Sequence, residues 1–458
     1  MRLPCMRTLH RFRAVAAIVA ALATTGAAPA AAQSVEIVSL GPGSSTGLLH
    51  KPKSIASHIG FLNAPCAEIV VRGFVCLELG RIDGDFLRDA NWWGPVTRRF
   101  AAGIEVLRRQ PGITKVVIYG HSGGATFASF YQAVAENGEA FCQGTHKISP
   151  CHGIGQAPPA DGIALFDAHP GFAAALLRNL NPSIVVEGNP PRLRVIPELD
   201  PFNPSNGFNP KGESRYSEAF RKRYFAAQAA QMNRLVDQAL ALRKRIAAGE
   251  RLYPDDDLMI IPAGGNGAPS GASLIPLDLT LPGVFRTSRP AKLLRNDGTI
   301  VTTIVSSAAR YARTADDTAS PRDERRAPVP DPLTRKRLNH SFAGVKLVSV
   351  NSFLDREAIR ATNSLDGIDH CSATASAICS ATGIRVPALV VAAGAYKFIG
   401  DTERLFDHLK SQDKEYIVVE GALHDFRPCS ECENTPGQYS NSRRNAFNYL
   451  AAWAKARF

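Results

Sequence analysis

Three residue types able to cleave an acyl bond occur in this chain in a definite order. The stretch KVVIYGHSGGATFASFYQ, residues 115–132, is centred on Gly120-His121-Ser122-Gly123-Gly124. A serine hydroxyl is a weak nucleophile at neutral pH until an imidazole accepts its proton. The imidazole in turn needs a carboxylate to hold its tautomer and orientation. His424, in VVEGALHDF, follows Ser122 in sequence, just past a β-branched run and a glycine. It is the candidate base among eleven histidines, since none of the others combines a strand-end position with this order. Two aspartates compete for the third role. Asp167, in GIALFDAHPG, sits at the end of the apolar run that follows the serine; Asp401 is the alternative, further along the chain.

A glycine-flanked serine is common in loops, so the pattern counts only if a buried strand precedes it and a helix follows. Residues 116–119 read as that strand and 124–136 as that helix. The turn between them lifts the serine oxygen clear of the sheet. It also leaves the Gly123 N–H at a helix start, where the dipole favours a developing oxyanion. His121, inside the motif, points its side chain away from the serine; His169 and His370 are pocket or structural residues.

The remaining elements alternate. Residues 35–40 and 46–50 read as a hairpin around Gly41-Pro42-Gly43, 64–72 as helix, 74–79 as strand and 96–109 as helix. Strands follow at 162–166, 388–393 and 416–420, with helices at 402–409 and 445–455. Short, continuously apolar runs alternating with helices point to an α/β fold, a mainly parallel sheet covered by helices on both faces. Residues 172–385 break this rhythm. They hold LDPFNPSNGFNPKG, a long helix at about 217–248 with a packing face through Phe220, Tyr224, Met232 and Leu235, the loop AGGNGAPSGAS, and a charged stretch before Arg337. A strand is expected at 345–350. The expected organisation is a core of 33–171 and 386–458, with 172–385 inserted between two sheet strands as a lid or cap. The glycine loop lacks the Lys-Ser/Thr of a phosphate cradle and reads as a plain loop.

The strand–GHSGG–helix unit, followed downstream by VVEGALHDF, resembles the α/β-hydrolase superfamily over roughly 35–171 and 387–458. RGFVCLELGR, QPGITKVVIYGHSGG and LFDAHPGF are similar to a subgroup of bacterial hydrolases, a resemblance that gives no substrate. It implies a serine hydrolase with a Ser-His-acid triad, no metal and no organic cofactor. It departs from the common pattern at the acid. The positions after strand 388–393, where many members carry Asp or Glu, hold Ala395, Tyr396 and Lys397. Asp401 lies just before the predicted helix 402–409, where an N-cap also explains it. Some superfamily members carry the acid on the strand after the nucleophile helix, which favours Asp167. The resemblance places a second oxyanion donor in the loop after the third strand; Ile59 and Gly60, in KSIASHIGFLN, are the candidates, and no HGGG-type signature accompanies them. Trp92 and Trp93 are read as either an acyl-pocket wall or core.

Composition bounds the rest. With 458 residues, 45% hydrophobic and 21% charged, the chain is globular. Arg2, Arg7, Arg11 and Arg13, the apolar run 14–23 and Ala30-Ala31-Ala32 read as a secretory signal peptide over 1–32. The apolar run is too short for a transmembrane anchor, so export to a periplasm or beyond is expected. Losing four arginines and no acid lowers the formal charge from +12 to +8. The basic cluster 286–337 is mixed with acids, Pro and Ser and carries no nucleic-acid motif, so it reads as solvated surface. Cys5 leaves with the leader. The other eight cysteines form four sequence-local couples, which points to loop staples in an oxidising compartment, although eight cysteines allow 105 connectivities. The expected partner is a small-molecule or polymeric ester. An amidase, peptidase or acyltransferase on the same triad, or a non-catalytic hydrolase-like binding protein, is the alternative. Nothing in the sequence fixes oligomeric state.

Overall fold

The structure is a computed structural model that describes residues 34–41, 46–55, 57–80, 90–188, 192–209, 211–250, 256–262, 273–309, 341–342 and 345–458. The leader 1–32, the glycine-rich loop at 263–272 and the charged stretch 310–337 lie outside the described residues.

The core strands are β1 (Ser34–Ser39), β2 (Thr46–Lys51), β3 (Ile59–Leu62), β4 (Val75–Glu78), β5 (Lys115–His121), β6 (Gly162–Phe166), β7 (Ala291–Leu294), β8 (Ile300–Thr303), β9 (Ala388–Ala393) and β10 (Lys414–Val419). They form one sheet in the order β1-β2-β4-β3-β5-β6-β9-β10-β7-β8. The pairings from β4 across to β7 are parallel, while β1–β2, β2–β4 and β7–β8 are antiparallel. The central strands β3, β6 and β9 are apolar throughout because both faces are covered. Along β5, Val116 and Ile118 enter one core and Val117 and Tyr119 the other. On the first face pack α2 (Trp93–Arg108) and α3 (Gly123–Asn137), with α6 (Ala377–Ala381) and α7 (Ile399–His408). On the second pack α1 (Cys66–Val70) and α8 (Ser442–Arg457).

The middle of the chain carries α4 (Phe172–Asn179) and α5 (Glu218–Ala247). Ser217 caps α5 by accepting the Phe220 N–H, which starts the helix where the sequence predicts. The strand Val345–Ser349 pairs antiparallel with Leu258–Ile261. Phe220 and Tyr224 join one separate apolar cluster, and Met232, Leu235 and Val236 another with α4. Not all of 172–385 stands apart from the sheet, however. β7 pairs parallel with β10 and extends the sheet, with β8 as its hairpin partner. The boundary drawn at 172–385 is corrected there. AKLL and TIVTT flank Asn296-Asp297-Gly298, a hairpin turn sequence set within the basic cluster 286–337.

The eight cysteines close four local disulfides, Cys66–Cys76, Cys142–Cys151, Cys371–Cys379 and Cys429–Cys432. Among the described residues, no helix is long and apolar enough to cross a membrane.

Candidate active site

Ser122 occupies the one-residue joint between β5 and α3, at φ 54° and ψ −127°. Such a backbone persists only when its surroundings over-determine it. Here the Ser122 N–H donates to the Phe166 carbonyl at 3.2 Å, and its own carbonyl accepts from His169 and Ala125 at 3.1 Å each. The strain is not isolated. Asn63, Asp167 and Phe426 also have positive φ, and they lie at the ends of β3 and β6 and in the loop after β10, on the same edge of the sheet.

The two motif glycines do different work. A Cβ on Gly120 would lie 2.7 Å from the Ala125 Cα and 2.9 Å from the Ala128 Cβ, so glycine is what lets α3 cross close over β5. A Cβ on Gly124 would meet nothing within 4 Å, so of the two only Gly120 is required by close packing. Gly120→Ala is therefore expected to cost about 1–3 kcal/mol through overpacking and to displace the serine. Gly124→Ala should keep near-wild-type stability, alanine being about 1 kcal/mol better than glycine within a helix. Thermal unfolding together with the rate of serine labelling by a fluorophosphonate checks both; equal behaviour of the two variants would contradict this account.

Asp167 follows β6 directly, and its amide donates to the Val391 carbonyl at 2.7 Å. Its carboxylate is fully buried: Oδ1 accepts the Ala393 N–H at 3.1 Å, and Oδ2 accepts His424 Nδ1–H at 2.5 Å. Burial pushes this carboxyl above its ordinary range, against the opposing pull of the His424 and Ala393 bonds. With Nδ1 committed to Asp167, Nε2 is the nitrogen of His424 free to accept a proton. The imidazole is 28% exposed. Tyr396 stacks on it at 4.4 Å between centroids, and Phe398 meets it edge-on at 5.5 Å.

His424 sits in a tight turn, with the Leu423 N–H bonded to the Arg427 carbonyl and the Phe426 N–H to the Leu423 carbonyl. The turn begins at Gly421, where Tyr439 packs against the backbone and leaves no room for a Cβ. Cys429–Cys432 staples the chain just beyond. His121, adjacent to Ser122, donates Nε2–H to the His424 carbonyl at 2.7 Å, and the two rings lie 4.6 Å apart. Burial, then the nearby His424, lowers the His121 pKa, which keeps it neutral with its proton on that nitrogen. His121 thus points away from the serine and ties the histidine turn to the β5 corner. Sequence reasoning missed this tie. Among the described residues no hydrogen bond joins Ser122 Oγ to His424; bonds of this kind tighten when substrate binds.

Asp401 is elsewhere. It lies in the first turn of α7, not at its N-cap, and takes a bidentate pair from Arg178 at 2.7 and 3.0 Å, plus Arg404 at 3.1 Å. Burial alone would raise its pKa, but Arg178 and Arg404 outweigh that and hold it below the usual carboxylate range. The expectation for Ile59 and Gly60 is corrected. Both lie inside β3, level with Lys115 and Val116 at the far end of β5 from Ser122. At about 3.3 Å per residue, that level is most of a strand length from the serine. The chain leaves β3 on the serine's side at Asn63 and Ala64; the Asn63 N–H is taken by the Leu77 carbonyl at 2.7 Å, which makes Ala64 the next amide. The Gly123 N–H is among the first amides of α3, which have no intrahelical acceptor.

Trp92 and Trp93 are core residues, each 1% exposed, donating to the Asp355 and His152 carbonyls. They border a cavity of about 420 Å³ with Asn91, Arg98 and His152 that does not reach Ser122 or His424. The wall of the serine corner is instead aromatic and drawn partly from the middle segment. Phe172 packs on Gly123, on Phe127 at 5.3 Å and on His169 at 5.7 Å. Burial drives His169 down to about 4, so it is neutral.

The strand order, the parallel centre and the strand–serine–helix corner define the α/β-hydrolase fold that the sequence resemblance implies. No family model and no curated protein sequence matches the chain. Among solved structures, it is similar to a carboxyl esterase from Tuber melanosporum at 10% identity, over 95% of this chain and 89% of that one, with a TM-score of 0.36. A soluble variant of monoglyceride lipase from Saccharomyces cerevisiae shares 9% identity over 93% and 95%, at 0.33. Proline iminopeptidase from Mycobacterium smegmatis shares 12% over 93% and 98%, at 0.34. At these values no residue, substrate or activity carries over from them.

Proposed function

We propose that the protein is an exported serine hydrolase that cleaves carboxylic esters through an acyl-enzyme. Ser122 attacks the carbonyl carbon as His424 Nε2 takes its proton. Asp167 holds the imidazole and stabilises the imidazolium that forms. The Gly123 N–H, with Ala64 N–H as the second candidate donor, steadies the tetrahedral oxyanion. His424 then returns the proton to the leaving alcohol, and water releases the acyl group by the same steps. The middle segment acts as cover over the serine through Phe172. The observation that carries this reading is the bond from His424 to fully buried Asp167, one strand away from a serine held at a strained strand–helix joint. Four disulfides support an oxidising destination.

The test is intact-mass spectrometry after treatment with a fluorophosphonate, followed by peptide mapping. One adduct on the peptide containing Ser122, with turnover of short 4-nitrophenyl esters, is the expected result. A folded protein that neither labels nor turns over an ester would instead favour a binding protein on a hydrolase fold.

A further inference from the structure

Lys397 stands out among the charged groups near the candidate site. It lies in the turn after β9, between Tyr396 and Phe398, the two residues whose rings enclose His424. Its ammonium is 5.6 Å from the Tyr396 ring centroid and 5.8 Å from that of Phe398. The two carboxylates whose charge it feels are already occupied: Asp167 by His424 and the Ala393 amide, Asp401 by Arg178 and Arg404. Among the described residues Lys397 has no ion pair and no hydrogen-bond acceptor. Lys397 is half-buried, and its ammonium, with three donors, still reaches solvent on the side away from the rings. Burial, the main cause, and the like charge of Arg178 lower its pKa, while the two aspartates oppose this. A half-buried cation with no carboxylate of its own among the described residues, set against the rings that enclose His424, is free to take an acceptor from a bound molecule.

We propose that Lys397 seats an anionic group of the substrate, a carboxylate in the first instance, so that the preferred esters carry a negative charge close to the scissile bond. This rests on the hydrolase reading above. The position fits: ligands in open α/β sheets bind beyond the carboxyl ends of the strands, and Lys397 follows β9 on the edge that holds Ser122, Asp167 and His424. The aromatic rings beneath the ammonium exclude water from one side and strengthen a charge-assisted bond formed on the other.

The experiment compares matched neutral and anionic esters: 4-nitrophenyl butyrate against mono-4-nitrophenyl succinate for a charge on the acyl side, and the butyryl esters of methyl 4-hydroxybenzoate and of 4-hydroxybenzoate for a charge on the alcohol side. Wild-type protein is expected to favour the anionic member of at least one pair by about tenfold or more in kcat/KM. In Lys397→Met that ratio should fall by about 10–100-fold, the range of a hydrogen bond to a charged group; Lys397→Arg should restore most of it. The ratio cancels losses that strike both esters alike, and thermal unfolding with Ser122 labelling verifies each variant's fold. Labelling with no anionic preference, or a ratio unmoved in Lys397→Met, overturns this proposal and leaves the hydrolase reading standing. Absence of both labelling and turnover in folded wild-type protein overturns the two together.

Discussion

Ser122→Ala is expected to abolish the fluorophosphonate adduct and to lower ester turnover by a factor on the order of 10⁶, the cost of deleting the nucleophile from a working triad. The residue could not be replaced by a neighbour. The joint at φ 54° holds one side chain above the sheet, and His121 is committed to the carbonyl of His424. What survives should be the weak catalysis of the oxyanion donors alone. Folding should not suffer, because the serine's structural bonds run through its backbone N–H and carbonyl, which alanine keeps. Burst and steady-state kinetics on a 4-nitrophenyl ester, with thermal unfolding of the same samples, check this. A variant that keeps its turnover would place the nucleophile elsewhere.

Asp167→Asn and Asp401→Asn should separate cleanly, one losing rate and the other stability. In Asp167→Asn the new amide keeps an oxygen and a shape close to the original but offers no charge, and its NH₂ can push His424 into the wrong tautomer. A loss of about 10⁴ in kcat with little change in thermal stability is expected. Asp401→Asn leaves the buried Arg178 guanidinium without its bidentate partner. Breaking such a pair from one side costs about 3–5 kcal/mol. The native carboxyl is held below its unfolded pKa, so its contribution is present above that unfolded value. It is lost as pH falls through the lowered native value. Stability curves of wild type and Asp401→Asn should therefore converge toward acid pH, while the activity of the folded variant remains. Full turnover in Asp167→Asn, or its loss in well-folded Asp401→Asn, would reverse the assignment.

Much of this was legible because the signals were local. An apolar strand, a glycine that admits a crossing helix and a helix start are written into residues 115–132. The strand-end positions of Asp167 and His424 are written into GIALF and YIVV. Four cysteine couples close over short loops, so sequence proximity alone anticipates their pairing. Other strands left weaker marks. β3 is only four residues long, too short for a periodic pattern, and missing it displaced the oxyanion candidates Ile59 and Gly60 to the wrong end of the sheet. β7 and β8 lie in a basic stretch whose charge masks the Asn-Asp-Gly turn between them.

By itself, then, the amino-acid order determined the elements and the side chains that chemistry requires, since strand, helix and turn preferences act over a few residues. What tertiary structure alone decided was partnership. Asp167 and Asp401 are both buried acids, one directly after a strand and one in the first turn of a helix, and neither position by itself names its partner. Packing brings the loop after β10 over β6, which hands His424 to Asp167, and brings the Arg178 side chain of α4 within reach of Asp401 in α7. The same packing leaves Lys397 against two aromatic rings with no acceptor among the described residues. Asp167 and His424 are 257 residues apart in the chain, and Arg178 and Asp401 are 223 apart. Over such distances a buried charge takes whichever partner the fold brings within hydrogen-bond reach.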